Sequence, residues 1–339
     1  MLKKLRYILT GLSVAIMGVD AGAQDLHFSQ FFASPMTLNP AYTGRFEGDV
    51  RVSGNHRNQW PSINNAFVNY SAAVDFAIMQ DKMPMNDRWG VGILAFTDKQ
   101  ANGTFKNNFY SISTAYHKGL DNEGYHQLSL GVQATYAQKR LYTSNLKFED
   151  MLRSDGFTGT TNEFFDPNNL HLNYLDMNAG LMFTGVFGTA TNYYVGASMY
   201  HINKPKETFT GASFYLNPRY TVHGGVYLPL NETMTLHTSA LYQQQAGASE
   251  FVAGGAVGFN LNNDTEDNPT NLFVGSWLRV GDAAIPYVGL EVNSFRVGMS
   301  YDVNVSKLKA VSNSRGGMEI SLIYIYKKST SRSIPCPRF

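Results

Sequence analysis

Phe295-Arg296-Val297-Gly298-Met299-Ser300-Tyr301-Asp302-Val303-Asn304-Val305 decides the fold class. In an extended chain Val297, Met299, Tyr301, Val303 and Val305 fall on one face, and Arg296, Gly298, Ser300, Asp302 and Asn304 on the other. One face is oily and the other wet. The division recurs at 287–293, where Val288, Leu290 and Val292 oppose Gly289, Glu291 and Asn293, and at 67–78, where Val68, Tyr70, Val74, Phe76 and Ile78 oppose Asn69, Ser71 and Asp75. At 125–137, Leu128, Leu130, Val132 and Tyr136 oppose Gln127, Ser129, Gln133 and Thr135.

Extending this reading outward predicts fourteen strands, near 49–59, 67–78, 88–97, 105–117, 125–138, 173–187, 191–203, 218–229, 232–244, 249–261, 270–280, 283–293, 295–305 and 317–327. A soluble sandwich also alternates, but its strands are usually nearer five or six residues and its apolar face turns inward. Long strands with Tyr and Phe on the apolar face, and Gly, Ser, Asn and isolated charges on the other, favour a transmembrane antiparallel β-barrel with a polar lumen.

Composition agrees. Charged residues make up 16% of the 339 residues, against about 25% in soluble domains, while Gly 31, Phe 22 and Tyr 20 are abundant. No stretch beyond the N-terminus reaches the roughly 18 apolar residues of a membrane helix, which excludes a helical membrane protein. The balance of 27 Lys plus Arg against 26 Asp plus Glu leaves no footprint for nucleic acid. Cys336 is the only cysteine, so neither an internal disulfide nor a cysteine zinc site is available.

Residues 1–23 read as a signal peptide: Lys3, Lys4 and Arg6, an apolar core ending before Asp20, and the small residues Ala21-Gly22-Ala23. Residues 24–48, with Pro35, Pro40 and Gly44, cannot form a long regular element and either plug the lumen or hang in the periplasm. The barrel is expected over 49–327. Residues 328–339, with Pro335 and Pro337, form a periplasmic tail. In an even-stranded barrel of this kind both termini are periplasmic and the longer links lie outside. The longest gaps, 139–172 and 204–217, follow the fifth and seventh strands, as that parity requires.

Chemistry is sparse. The eight histidines form no His-Glu-x-x-His pattern, and no nucleophile elbow or phosphate loop occurs, so no catalytic, cofactor or metal residues are expected. Glu149, Asp150, Asp155, Glu163 and Asp166 read as solvated loop charge. The inward charges, among them Arg51, Arg57, Asp75, Asp176, Arg219, Glu250, Arg279, Glu291, Arg296 and Asp302, are mixed in sign. That mixture points to pairing across the lumen or to plain solvation, whereas a selective pore would carry a one-sided ring.

The most specific stretch is Gln24-Asp25-Leu26-His27-Phe28-Ser29-Gln30-Phe31-Phe32-Ala33-Ser34-Pro35, followed by Leu38-Asn39-Pro40-Ala41-Tyr42-Thr43-Gly44 and, in the first strand, Arg57-Asn58-Gln59-Trp60-Pro61. It resembles the opening of the PorP/SprF family of type IX secretion system outer-membrane proteins, and Cys336-Pro337-Arg338-Phe339 resembles that family's ending. His56 departs from the aromatic residue expected before Arg57. The resemblance implies an outer-membrane component of protein secretion and gliding motility in Bacteroidota. Its implied partners are a secreted adhesin cargo with a C-terminal sorting domain, a periplasmic peptidoglycan-binding secretion subunit and outer-membrane lipid.

The Asn39-Pro40-Ala41 stretch also looks like the hatch of the fatty-acid-transporter barrels, so a transporter for a hydrophobic solute is the rival reading. Asn39, Pro40, Arg57 and Trp60 are the candidate plug or partner contacts.

Overall fold

The computed structural model describes residues 25, 27–63, 66–166, 170–188, 191–209, 214–262, 270–307 and 309–328. The expected signal peptide, and all but residue 328 of the expected tail, lie outside them. The strands are β1 (Val50–Gln59), β2 (Phe67–Ile78), β3 (Arg88–Gln100), β4 (Phe105–Gly119), β5 (Gln127–Leu141), β6 (His171–Phe187), β7 (Thr191–Tyr200), β8 (Arg219–Pro229), β9 (Met234–Gln245), β10 (Ala248–Asn260), β11 (Thr270–Arg279), β12 (Ala283–Val292), β13 (Phe295–Asn304) and β14 (Arg315–Tyr326). Each pairs antiparallel with its chain neighbours, and β1 pairs with β14. The result is a closed fourteen-stranded barrel with no sheet edge to protect.

The alternation read from the sequence places the side chains. On β13 Val297, Met299 and Tyr301 are exposed while Ser300, Asp302 and Asn304 are buried. An apolar face turned outward is the reverse of a soluble sandwich and suits a hydrocarbon surrounding. Its centre is well exposed, with Ile112 at 71% and Ile93 at 61%. Two rows of exposed aromatic residues bound it. Tyr70, Tyr110, Tyr136, Tyr220 and Tyr301 stand toward the end that carries the longer links, and Trp89, Tyr116, Phe187, Phe295 and Tyr326 toward the other. Amphipathic rings at both water interfaces mark a membrane-spanning band.

Links after odd-numbered strands include the two longest, 142–170 and 201–218; Asn293 and Ser294 make the tightest even-side turn, with Asn293 at a left-handed φ of 54°. The even-side link 79–87 is longer than a turn requires because it folds over the neighbouring link at 120–126. Asp87 accepts from Tyr116 Oη (2.6 Å), Lys118 Nζ (2.9 Å) and Gly119 N (2.9 Å), and Asn86 Nδ2 donates to the carbonyls of Asp121 and Asn122.

The expectation of a polar lumen needs correcting for one sector. Leu241, Val252, Ala256, Phe273, Trp277, Ile285 and Tyr287, inward residues of β9 to β12, form an apolar cluster with Phe31, Leu38 and Tyr42 of the N-terminal segment. Apolar side chains here bury against one another, while the same strands keep Gln243, Gln245, Arg279 and Glu291 as polar inward residues beyond the cluster. The β12–β13 ladder skips Ile285 and Pro286, since proline has no N–H to contribute, and β13 shifts register against β14 between Asp302 and Val303.

Candidate functional site

The site is the bed of wall residues that holds Asp25 and residues 27–49. Locally this segment is three short turns. Pro35 opens a four-residue helix to Leu38, and Asn39 then caps the turn Pro40–Tyr42, its Oδ1 accepting from Ala41 N at 2.8 Å. Asparagine before proline suits that job, because the cap wants a side-chain acceptor and the first helical position loses nothing by lacking an N–H.

Asparagine 39 is also the central anchor. Its Nδ2 lies 3.1 Å from Leu181 O, 3.2 Å from Ala197 O and 3.0 Å from His223 Nε2, so one amide joins β6, β7 and β8. Pro40 rests on glycines. A Cβ on Gly131 would meet Pro40 C at 2.3 Å and Ala41 N at 2.4 Å, and one on Gly180 would meet Asn39 Oδ1 at 1.8 Å. These two glycines pair across β5 and β6, and only bare backbone lets the segment approach so closely. The carbonyls of Met36 and Leu38, left over at the helix end, accept from Gln133 Nε2 (3.3 Å) and Ser198 Oγ (2.8 Å).

Arg57 holds the part nearer the longer links. Its Nη1 donates to His27 O and its Nη2 to Asp302 Oδ2 at 3.0 Å. Asp302 also takes Arg279 Nη1 (3.0 Å) and Ser29 Oγ (2.8 Å), and Arg279 Nη2 donates to Ser29 Oγ (2.7 Å). Asp302 sits where β13 shifts register, an irregularity that re-aims a side chain. Glu319, which the sequence reading did not single out, accepts Ser29 N and Gln30 N on separate oxygens at 2.8 and 2.9 Å.

At the other end Gly44 N donates to Asp75 Oδ2 (2.7 Å), and Arg51 grips the same carboxylate with two nitrogens (3.0 and 2.7 Å). Gly44, at φ 73°, lies backbone to backbone against Gly90. His117 Nε2 is 2.8 Å from Thr43 O, which can only accept, so Nε2 carries the proton and Nδ1 accepts from Ser129 Oγ at 2.7 Å.

At the longer-link end Asp25 closes the bed. Its carboxylate lies 2.6 Å from His201 Nε2 and 3.4 Å from Arg219 Nη1, and its backbone N donates to Gln245 Oε1 at 2.6 Å. His201 Nδ1 lies 3.0 Å from Asp176. Burial disfavours the charged form of both groups, yet the pairing wins. His201 is pushed up to about 9, and Asp25 is held well below the usual carboxylate range.

The ten inward charges named from the sequence are thus all paired, with a geometry unlike that expected. Pairs such as Arg51–Asp75, Arg279–Glu250 and Arg296–Glu291 join adjacent or next-adjacent strands, or reach the N-terminal segment, and among the described residues none spans the lumen wall to wall. Asn39, Pro40 and Arg57 meet in this one bed. Trp60 stands apart: it follows β1 at φ 54°, donates its backbone N–H to Gly316 O (2.7 Å) and packs edge-on against Phe67.

The family described as type IX secretion system membrane protein PorP/SprF matches residues 21–324. The chain belongs to the PorP/SprF family. This PorP/SprF barrel is therefore a component of the type IX secretion system in the outer membrane. No curated protein matches the chain.

Among solved structures the PorP/SprF chain is similar to the toluene transporter TodX from Pseudomonas putida (7% identity, 89% of this chain and 94% of that one, TM-score 0.48). It is also similar to the toluene transporter TbuX from Ralstonia pickettii (10%, 91% and 94%, 0.47) and to CdiB from Acinetobacter baumannii (9%, TM-score 0.46). It covers 59% of CdiB, with 81% of its own length matched. Likenesses at this identity and TM-score carry no argument about function.

Proposed function

We propose that this PorP/SprF barrel is a non-enzymatic docking and anchoring element of type IX secretion and gliding motility, closed by its own N-terminal segment acting as a plug. The observation that carries the closure is the run of buried hydrogen bonds from Asp25 to Gly44 into nearly every sector of the wall, Asn39 at its centre. A barrel so filled serves as a platform more readily than as a conduit.

The cargo is a secreted adhesin with a C-terminal sorting domain, held at the longer links, where Phe164 (87%) and Phe157 are exposed on one link and Phe214 and Tyr215 on the other. Aromatic residues at this density on water-facing links suit a protein partner. A periplasmic peptidoglycan-binding secretion subunit takes the opposite end, and outer-membrane lipid surrounds the band.

The test is affinity purification from native membranes followed by mass spectrometry. Recovery of an adhesin and a periplasmic secretion subunit, with the adhesin lost in Phe164→Asp, supports the reading. Recovery of lipid and general assembly factors alone overturns it. Saturable uptake of a hydrophobic solute into liposomes would instead favour the transporter reading.

A further inference from the structure

The apolar sector of the lumen is not fully packed. Beside Phe32 lies a cavity of about 40 Å³ lined by Tyr194, His237, Ala256, Phe273, Trp277 and Tyr287. Protein interiors seldom leave such a hole between rings, and this one has two properties that matter together.

Its lining is mostly apolar, and several of its polar groups are engaged with the wall. The indole N–H of Trp277 donates to Ser239 Oγ at 2.9 Å, His237 Nε2 lies 3.2 Å from Thr235 Oγ1, and Arg296, over the Phe273 ring at 4.9 Å, is held by Glu291. A buried water needs two to four polar partners, and a lining dominated by rings and apolar side chains favours an apolar guest over water.

The cavity is also expandable. Phe32 is half-buried, stacked on Trp277 (centroids 4.7 Å, 30°) and edge-on to Tyr287 (5.3 Å, 89°). It belongs to the N-terminal segment and not to the wall, so it can turn aside without breaking a strand pair.

The geometry points to a binding site for a small apolar molecule, of ring size or less, with Phe32 as the resident occupant that a guest displaces from the face of Trp277. The offset-stacked and edge-to-face positions around Trp277 and Tyr287 are those that aromatic pairs prefer. This site is independent of the docking role: a barrel that binds no cargo can still hold the guest, and the reverse.

The test uses the full chain in lipid nanodiscs, with Trp60→Phe and Trp89→Phe so that Trp277 is the one tryptophan left of three and can be excited selectively. Benzene and xenon are the probes. The expected result is a saturable change in Trp277 emission in that background, tightened about tenfold by Phe32→Ala and abolished by Ala256→Phe, which fills the cavity from the wall. Heat-modifiable electrophoretic mobility confirms that each variant is folded. A saturable response in Phe32→Ala but none with Phe32 present would mean an engineered hole only and overturn the inference. So would a response indifferent to Ala256→Phe.

Discussion

Adding one methyl group to the glycine bed should unseat the N-terminal segment. In Gly131→Ala the new Cβ would lie 2.3 Å from Pro40 C, 2.4 Å from Ala41 N and 2.5 Å from Pro40 O. Non-bonded carbons settle at about 3.5–4.0 Å, so a displacement of about 1 Å is required, and all three opposing atoms are backbone in a proline turn that cannot rotate away. Overpacking alone costs about 1–3 kcal/mol. The shift also stretches the Asn39 amide from Leu181 O, Ala197 O and His223, now 3.0 to 3.2 Å away, and each buried group left unsatisfied costs about 1–3 kcal/mol. A total near 3 kcal/mol raises the unseated population roughly 100-fold.

The assay is limited proteolysis of residues 25–48 in the folded barrel, with heat-modifiable mobility as the control for strand pairing. Cleavage within the segment should accelerate while the barrel stays closed. Unchanged protection in Gly131→Ala would refute the reasoning, because no side chain is present to absorb the clash.

Three further outcomes follow from the same bed. Asn39→Asp should release the segment more than Asn39→Ala, since it turns a donor facing two carbonyls into an acceptor; protease protection measures it. Arg57→Ala should lower barrel stability by about 1–3 kcal/mol, because it strands His27 O while Arg279 still pairs Asp302, whereas Trp60→Ala should leave segment protection unchanged; thermal unfolding and proteolysis check the two. The Asp25–His201 pair sets a pH window: His201, raised to about 9 from an ordinary value near 6.5, contributes fully below the latter and loses its contribution as pH rises through 9. Asp25, lowered, contributes above the usual carboxylate value and loses it only in strong acid. Protection of the segment should therefore be weaker at pH 10 than at pH 7, and His201→Phe should remove most of that difference.

The barrel was legible because lipid outside and a filled lumen inside impose opposite demands on alternate residues. Met299 and Asp302 differ in chemistry as they differ in facing, and period-2 reading recovers both. Strand ends were less legible. β5 runs to Leu141 and β3 to Gln100, beyond the 138 and 97 expected, because Lys139, Arg140, Lys99 and Gln100 rise above the apolar band, where polar residues extend a ladder without marking it.

The apolar sector escaped notice for the opposite reason. On β12 both Ile285 and Val288 are apolar, so hydrophobicity alone does not say that Ile285 faces inward, against the segment. Arg57 and Asn39 stood out by motif, but their partners did not. Glu319 lies in a mostly apolar strand, and only its alternation with Ser321 hinted that it faced the lumen. Asp25 and His201, far apart in sequence, meet only because β7 ends where the segment begins.

The central claim is that this chain closes its own barrel. Conductance of the purified protein in planar lipid bilayers, intact and with residues 25–45 deleted, tests it most directly. Closure predicts no steady current through the intact protein and large, stable channels through the deletion, while the fourteen strands still pair. Steady conductance through the intact protein would contradict it.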